Sequence, residues 1–252
     1  MYTARNYIKA ESLAQAYELN QRRANAILGG GCWMRMGERM YDTLIDLSGL
    51  ELDQIQDRGE EAALGAMVTL RQLETNFMLD MCFHGLFRKC TQHIVGVQFR
   101  NCATLGGSVW SRFCFSDILT ALLALDCQVE LAGAGRVSLE DYVKMPRDRD
   151  VLAWVHVKKD ERPVAYETAR NSQTDLPVLT CALSKVGEGW RAVIGARPGS
   201  PRVVEDSDWD RLEEKVLSLE YGDNMRGSAR YRRHLAGVLL GRCKAELEVT
   251  GA

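Results

Sequence analysis

"RNCATLGGSVWSRFCFSD", Arg100 to Asp117, is the stretch on which the reading of this chain turns. Thr104-Leu105-Gly106-Gly107-Ser108 stands there between a segment that reads as strand and an apolar helix, "SDILTALLALD", which Ser116 or Asp117 can cap. An earlier segment, "NAILGGGCWMRMG" (Asn25 to Gly37), has the same character, a short apolar run breaking into consecutive glycines. Without Cβ atoms in the way, several backbone N–H groups can approach one anion, and a diphosphate needs several such donors. Thr104 and Ser108 add hydroxyls beside Gly106 and Gly107, and Asp117 is an acceptor suited to a ribose or adenine donor. The pair of segments therefore reads as two glycine loops holding a polyphosphate-bearing cofactor. The plain alternative is that the glycines only end strands in turns and Asp117 only caps its helix.

The standard phosphate fingerprints do not fit. A GxGxxG pattern over Gly29-Gly30-Gly31 needs a third glycine where Met34 stands, and Asp46 alone is a weak stand-in for the distant acid. No GxxxxGK[ST] occurs. The eight cysteines, Cys32, Cys82, Cys90, Cys102, Cys114, Cys127, Cys181 and Cys243, never fall in CxxC or CxxH spacing. No zinc or iron–sulfur site is expected from this chain alone, and reduced thiols in a cytoplasmic protein are the expectation. His84, His93, His156 and His234 stand alone and read as surface or packing residues, and no Ser/His/Asp or Cys/His constellation follows from spacing. Arg230, Arg232 and Arg233 of "RYRRH" read as a solvated or subunit-facing helix surface. No side chain is expected to act as a catalytic acid, base or nucleophile.

The 252 residues are 46% hydrophobic and 26% charged, with a formal net charge of −2. That is a soluble globular composition of one or two domains, and neither nucleic acid nor an anionic membrane is the expected partner. No apolar run approaches the roughly 18–20 residues that cross a bilayer, and the first residues contain no apolar signal core.

Along the chain, Ser12 is a candidate cap for a helix to about Gln21, "YDTLIDL" reads as a second strand after "NAIL", and "EEAALGAMVTLRQLE" as a strand or turn leading into a helix. "DMCFHGLFRKCTQHI" reads as one helical stretch; "CQVELAG" with "RVSLEDYV" suggests a hairpin, and "DVLAWVHVKK" a strand. From about Arg162 the texture changes. "RPVAYETAR", "LPVLTCALSKV" and "WRAVIGA" look like successive strands, the last two joined through Gly187-Glu188-Gly189, and two helices follow. Strands followed by helices predict an α+β lobe with its helices on one sheet face, and the best domain boundary lies near Asp160 to Pro163.

The chain resembles the FAD-binding medium subunit of the molybdenum hydroxylases, the xanthine dehydrogenase and carbon monoxide dehydrogenase family, over nearly its whole length. "ILGGGCWM" is similar to the family's first flavin loop, A-G-G-T-D-L, and "GAMVTLRQLE" to G-A-x-x-T-x-x-x-L. "VQFRNCATLGGSV" followed by "SD" resembles R-N-x-A-T-I-G-G-N followed by S-D, and "SARYRRHLAGVLL" the C-terminal Y-R-R-x-L helix. The resemblance implies an α+β fold: a two-lobed PCMH-type FAD-binding domain over residues 1–160, with sub-lobes of about 1–53 and 54–160. A small C-terminal domain would follow over 161–252, a three-stranded sheet with helices. It implies FAD contacts at Gly29, Gly30, Gly31, Cys32, Trp33 and Met34 and at Thr104, Gly106, Gly107, Ser108 and Asp117. Ile94 would lie near the adenine side and Leu152 against the flavin. "YETARNSQTD" resembles F-x-K-x-x-x-R-x-x-D with Thr168 where the family often has lysine near the flavin, and Cys32, Trp33 and Ser108 also depart from the usual residues. The implied function is electron transfer: from a molybdopterin-binding large subunit, through a [2Fe–2S] small subunit, to FAD and then to NAD⁺ or another acceptor. Two rival expectations are a scaffold subunit that has lost its flavin and a stand-alone NAD-binding reductase with a degenerate Rossmann turn.

Overall fold

The computed structural model describes residues 1–250, with side chains to Val249. In chain order come β1 (Thr3–Lys9), α1 (Leu13–Asn20), β2 (Ala26–Leu28), β3 (Met40–Asp46), β4 (Ile55–Asp57) and β5 (Glu61–Gly65). Short helices follow: α2 (Leu70–Thr75), α3 (Phe77–Cys82), α4 (Leu86–Thr91), α5 (Val97–Arg100), α6 (Leu105–Trp110) and α7 (Asp117–Leu123). Then come β6 (Cys127–Leu131), β7 (Gly135–Ser138), α8 (Leu139–Lys144) and β8 (Leu152–Lys158). The last part holds β9 (Val164–Ala169), β10 (Leu179–Val186), β11 (Gly189–Gly195), β12 (Arg202–Asp206), α9 (Trp209–Leu217) and α10 (Ala229–Thr250). The architecture is α+β with three sheets.

The chain divides into two compact units, each discontinuous in sequence. The first gathers Met1–Gln72, Val97–Trp110 and Cys127–Lys158; the second gathers Leu73–Gly96, Ser111–Asp126 and the chain from Lys159 onward.

In the first unit β1, β3 and β2 form a parallel sheet in that order, and β4-β5-β8-β6-β7 an antiparallel one. Ser12 caps α1 by accepting from the Gln15 N–H at 3.1 Å. Ala16 of that helix joins Ile45, Leu47, Leu52, Val151 and Ala153 in one core cluster. Fully burying a side chain such as Ile45 or Leu47 stabilises by about 1.5–3 kcal/mol. β1 carries no alternating pattern because it is a sheet edge and mostly exposed.

The second unit carries a four-stranded antiparallel sheet, β12-β11-β10-β9, where three strands were expected; "RVVED" supplies the fourth. Its two faces are both buried, which explains the unbroken buried run Leu179–Ser184 in β10. Cys181 and Leu183 pack with Leu212, Val216, Leu239 and Cys243 of α9 and α10. The alternate residues face α7: Thr180 meets Thr120 hydroxyl to hydroxyl at 3.0 Å, and Ser184 donates to the Ala124 carbonyl at 2.6 Å. Helices thus cover both faces, not one.

Two further expectations change. The helical stretch from Asp80 breaks into α3 and α4 at His84 and Gly85, whose φ values of 51° and 73° are left-handed. The segment ahead of Thr104 is α5 rather than a strand, and "LGGSVW" is helix α6 rather than a loop.

Candidate functional site

Helix α6 forms in spite of its glycines because its first turn is held from outside. Thr104 caps it, its hydroxyl oxygen accepting from the Gly107 N–H at 3.2 Å and its carbonyl from the Ser108 N–H at 3.1 Å. The Leu105 N–H donates to the Val68 carbonyl and the Gly106 N–H to the Ala66 carbonyl, both at 2.8 Å. Gly106 is a packing glycine, since a Cβ there would lie 2.7 Å from the Ala66 oxygen. Ser108 turns its hydroxyl back to the Thr104 carbonyl at 3.1 Å.

The first glycine segment leaves β2 and lies directly against this turn. A Cβ on Gly30 would stand 1.7 Å from the Cys102 carbonyl oxygen, and one on Gly29 3.0 Å from the Thr104 hydroxyl oxygen. The two glycine segments therefore meet at one place in the first unit. Among the described residues none accepts from the backbone N–H groups of Gly29, Gly30, Gly31 or Cys32. Gly31 has a left-handed φ of 67°, and a single 3₁₀ turn, Met34–Met36, follows. No helix opens there, so the geometry of a Rossmann turn is absent from this segment.

Beside these segments lies a cavity of about 330 Å³, wholly within the first unit. Gly29, Met34, Thr104, Gly106, Gly107 and Leu152 line it. Gly30, Gly31, Cys32, Trp33 and Ser108 belong to the same two segments but stand outside its lining. The Cys32 thiol pKa is pushed up by burial and then by neighbouring Cys102, against a smaller opposing pull from Arg35. That disfavours nucleophilic use.

Sequence reading missed the cationic part of the wall. Arg149 donates to the Asn20 side-chain oxygen at 2.9 Å and to the Asn25 carbonyl at 2.8 Å, and also to the Asn20 carbonyl. Arg39 lies over the Tyr41 ring at 5.1 Å. Burial lowers the Arg149 pKa, and the nearby positive charges of Arg39 and Arg23 lower it further. None of these three arginines has a carboxylate partner among the described residues. The acids on the same wall are already engaged: Asp150 accepts from the Gly133, Ala134 and Val151 N–H groups, and Asp148 from the Asp150 N–H. The wall therefore holds two guanidinium groups with no carboxylate bonded to them beside two carboxylates already held by backbone N–H groups, so Arg39 and Arg149 are its groups for an anion. Arg149 sits in "KMPRDRD", between α8 and β8, a segment that carries no motif; Trp110 was readable only once α6 was known to be helical.

Ile94, Asp117 and Thr168 belong to the second unit. The Ile94 N–H donates to the Thr91 carbonyl at 2.8 Å. Ser116, not Asp117, supplies the cap of α7, accepting from the Leu119 N–H. The buried Asp117 carboxylate accepts from the Tyr166 hydroxyl at 2.5 Å and pairs with Arg170. Burial raises its pKa, against the opposing pull of Arg170 and Tyr166. Thr168 lies in β9 and donates its hydroxyl to the Leu179 carbonyl at 3.3 Å. Among the described residues no group of histidine, cysteine and carboxylate side chains could hold a metal ion, and no helix is long and apolar enough to cross a membrane.

The family described as the FAD binding domain in molybdopterin dehydrogenase matches residues 2–157. The chain is 26% identical over 260 residues to YgfM, an uncharacterised protein of Escherichia coli K12, covering 97% of each. It is similar in fold to a chain of reconstituted CO dehydrogenase from Oligotropha carboxidovorans, with a TM-score of 0.83, 21% identity and 97% of each chain covered. A chain of quinoline 2-oxidoreductase from Pseudomonas putida 86 gives a TM-score of 0.80 at 20% identity, over 98% of this chain and 95% of that one.

Proposed function

Because the chain belongs to the FAD-binding family of molybdopterin dehydrogenases, we propose that it is the flavin-carrying electron-transfer subunit of a molybdenum hydroxylase. In this reading a molybdopterin-binding large subunit and a [2Fe–2S] small subunit are its partners, and NAD⁺ or another soluble acceptor receives the electrons. The observation that carries the reading is the meeting of the two glycine segments at one cavity, with four successive N–H groups left without an internal acceptor.

The residues fit a dinucleotide diphosphate, though the two segments contribute differently. Gly29 to Cys32 offer the N–H donors, while Thr104 and Gly107 give a wall without bulk on the cavity side. Arg39 and Arg149 add guanidinium donors at the same cavity. Bound there, the flavin supplies the redox chemistry, accepting electrons from one centre and passing them to another. The chain's part is to bind and orient; no acid, base or nucleophile is required of it. All eight cysteines are free thiols, which accords with a cytoplasmic setting.

Purification with the companion subunits tests the reading. The expected result is a yellow complex releasing one FAD per copy of this chain. A colourless preparation with no affinity for added FAD overturns it. Gly107→Trp, which fills the cavity wall, separates flavin carriage from pure scaffolding: it is expected to abolish FAD uptake while partner binding survives.

A further inference from the structure

The face of α6 that borders the cavity is unusual in its composition. Gly106, Gly107 and Trp110 all line the cavity, and i, i+1, i+4 spacing puts them on one side of the helix. Two residues without side chains are thus followed, one turn on, by the largest side chain available. Trp110 is 45% exposed, and among the described residues its ring stacks on no other aromatic. The packing of α6 does not depend on it, because Leu105 and Val109 make the buried contacts.

We propose that Trp110 is the stacking platform for a planar aromatic heterocycle of the bound nucleotide, which slides over the bare backbone at Gly107. Gly107 admits a flat ring close to the helix backbone, and the indole face closes its end. This rests on the reading of the chain as a dinucleotide carrier and adds the residue that grips a ring. Two rings of FAD share this chemistry, the adenine and the isoalloxazine, and fragments of the cofactor tell them apart.

The experiment uses the purified full-length chain and three probes: FAD, ADP and FMN. Affinity is measured by calorimetry and by quenching of tryptophan emission for the wild type, Trp110→Phe and Trp110→Leu. Loss of a stacking ring is expected to weaken FAD binding about tenfold or more in Trp110→Leu. Trp110→Phe retains most of the affinity and loses much of the emission quenching. Parallel loss of ADP binding assigns the adenine to Trp110; parallel loss of FMN binding assigns the isoalloxazine. Trp110→Leu binding FAD as the wild type does, or more tightly, overturns the proposal while the carrier reading stands. A wild type that binds none of the three probes overturns both.

Discussion

The two glycine segments look alike as sequence, yet they are built on opposite plans. Gly29 to Cys32 is a turn after a strand whose N–H groups find no acceptor inside the protein. Thr104 to Ser108 is a capped helix start in which the N–H groups of Leu105 to Ser108 are used: Leu105 and Gly106 on the carbonyls of Val68 and Ala66, Gly107 and Ser108 on Thr104. The first is a donor surface and the second a smooth wall. A pair of glycines beside a hydroxyl therefore says that something must approach closely, and it does not say whether that something is a ligand or the protein's own backbone. At Gly30 and Gly106 it is backbone.

Substitutions at five positions should rank in the order this contrast implies. Gly30→Ala puts a methyl 1.7 Å from the Cys102 oxygen and must part the two segments. A loss of about 3 kcal/mol is expected, read as a Tm lower by roughly 6–12 °C in thermal denaturation, with FAD affinity lost as well. An unchanged Tm would mean the segments do not touch. Gly106→Ala meets the Ala66 backbone and side chain at 2.7 Å, and about 2 kcal/mol is expected by denaturant titration. Thr104→Val keeps the shape and removes the cap, for about 1 kcal/mol in the same titration.

Gly107→Ala has the smallest effect on stability, within about 0.5 kcal/mol, because the gain in helix propensity offsets a 3.2 Å contact with Thr104. Its FAD affinity should nonetheless fall, as titration of the apoprotein would show. If affinity is unchanged there, the second segment is only a packing element and the contrast with the first becomes complete. Last comes charge: Arg39→Gln should weaken FAD binding a few-fold at low salt and hardly at all in about 1 M salt, where the screening length is near 3 Å. A loss independent of salt would assign Arg39 a contact role instead.

Much of this was legible in residue order. Ser12 and Ser116 caps, the β10–β11 hairpin across Gly187-Glu188-Gly189, and the β3 strand "YDTLIDL" all follow from local chemistry that the fold respects. What escaped was decided by tertiary partners. Glycine is among the poorest helix formers, so "LGGSVW" reads as loop until Val68 and Ala66 are seen holding its first turn. "RVVED" is too short and too exposed to declare itself a strand without β11 beside it. Arg149 belongs to no sequence motif, and only the fold brings it to Asn20 and Asn25, more than a hundred residues away in the chain.

The unpaired amides of Gly29 to Cys32 also make the chain its own occupancy gauge. Left to solvent, these four should trade their protons for deuterium within moments, whereas a diphosphate seated on them would slow that trade by orders of magnitude. A short peptide spanning that turn, weighed after a brief pulse of heavy water, would then report how much of a cell's pool is charged with cofactor, without any need for colour or turnover.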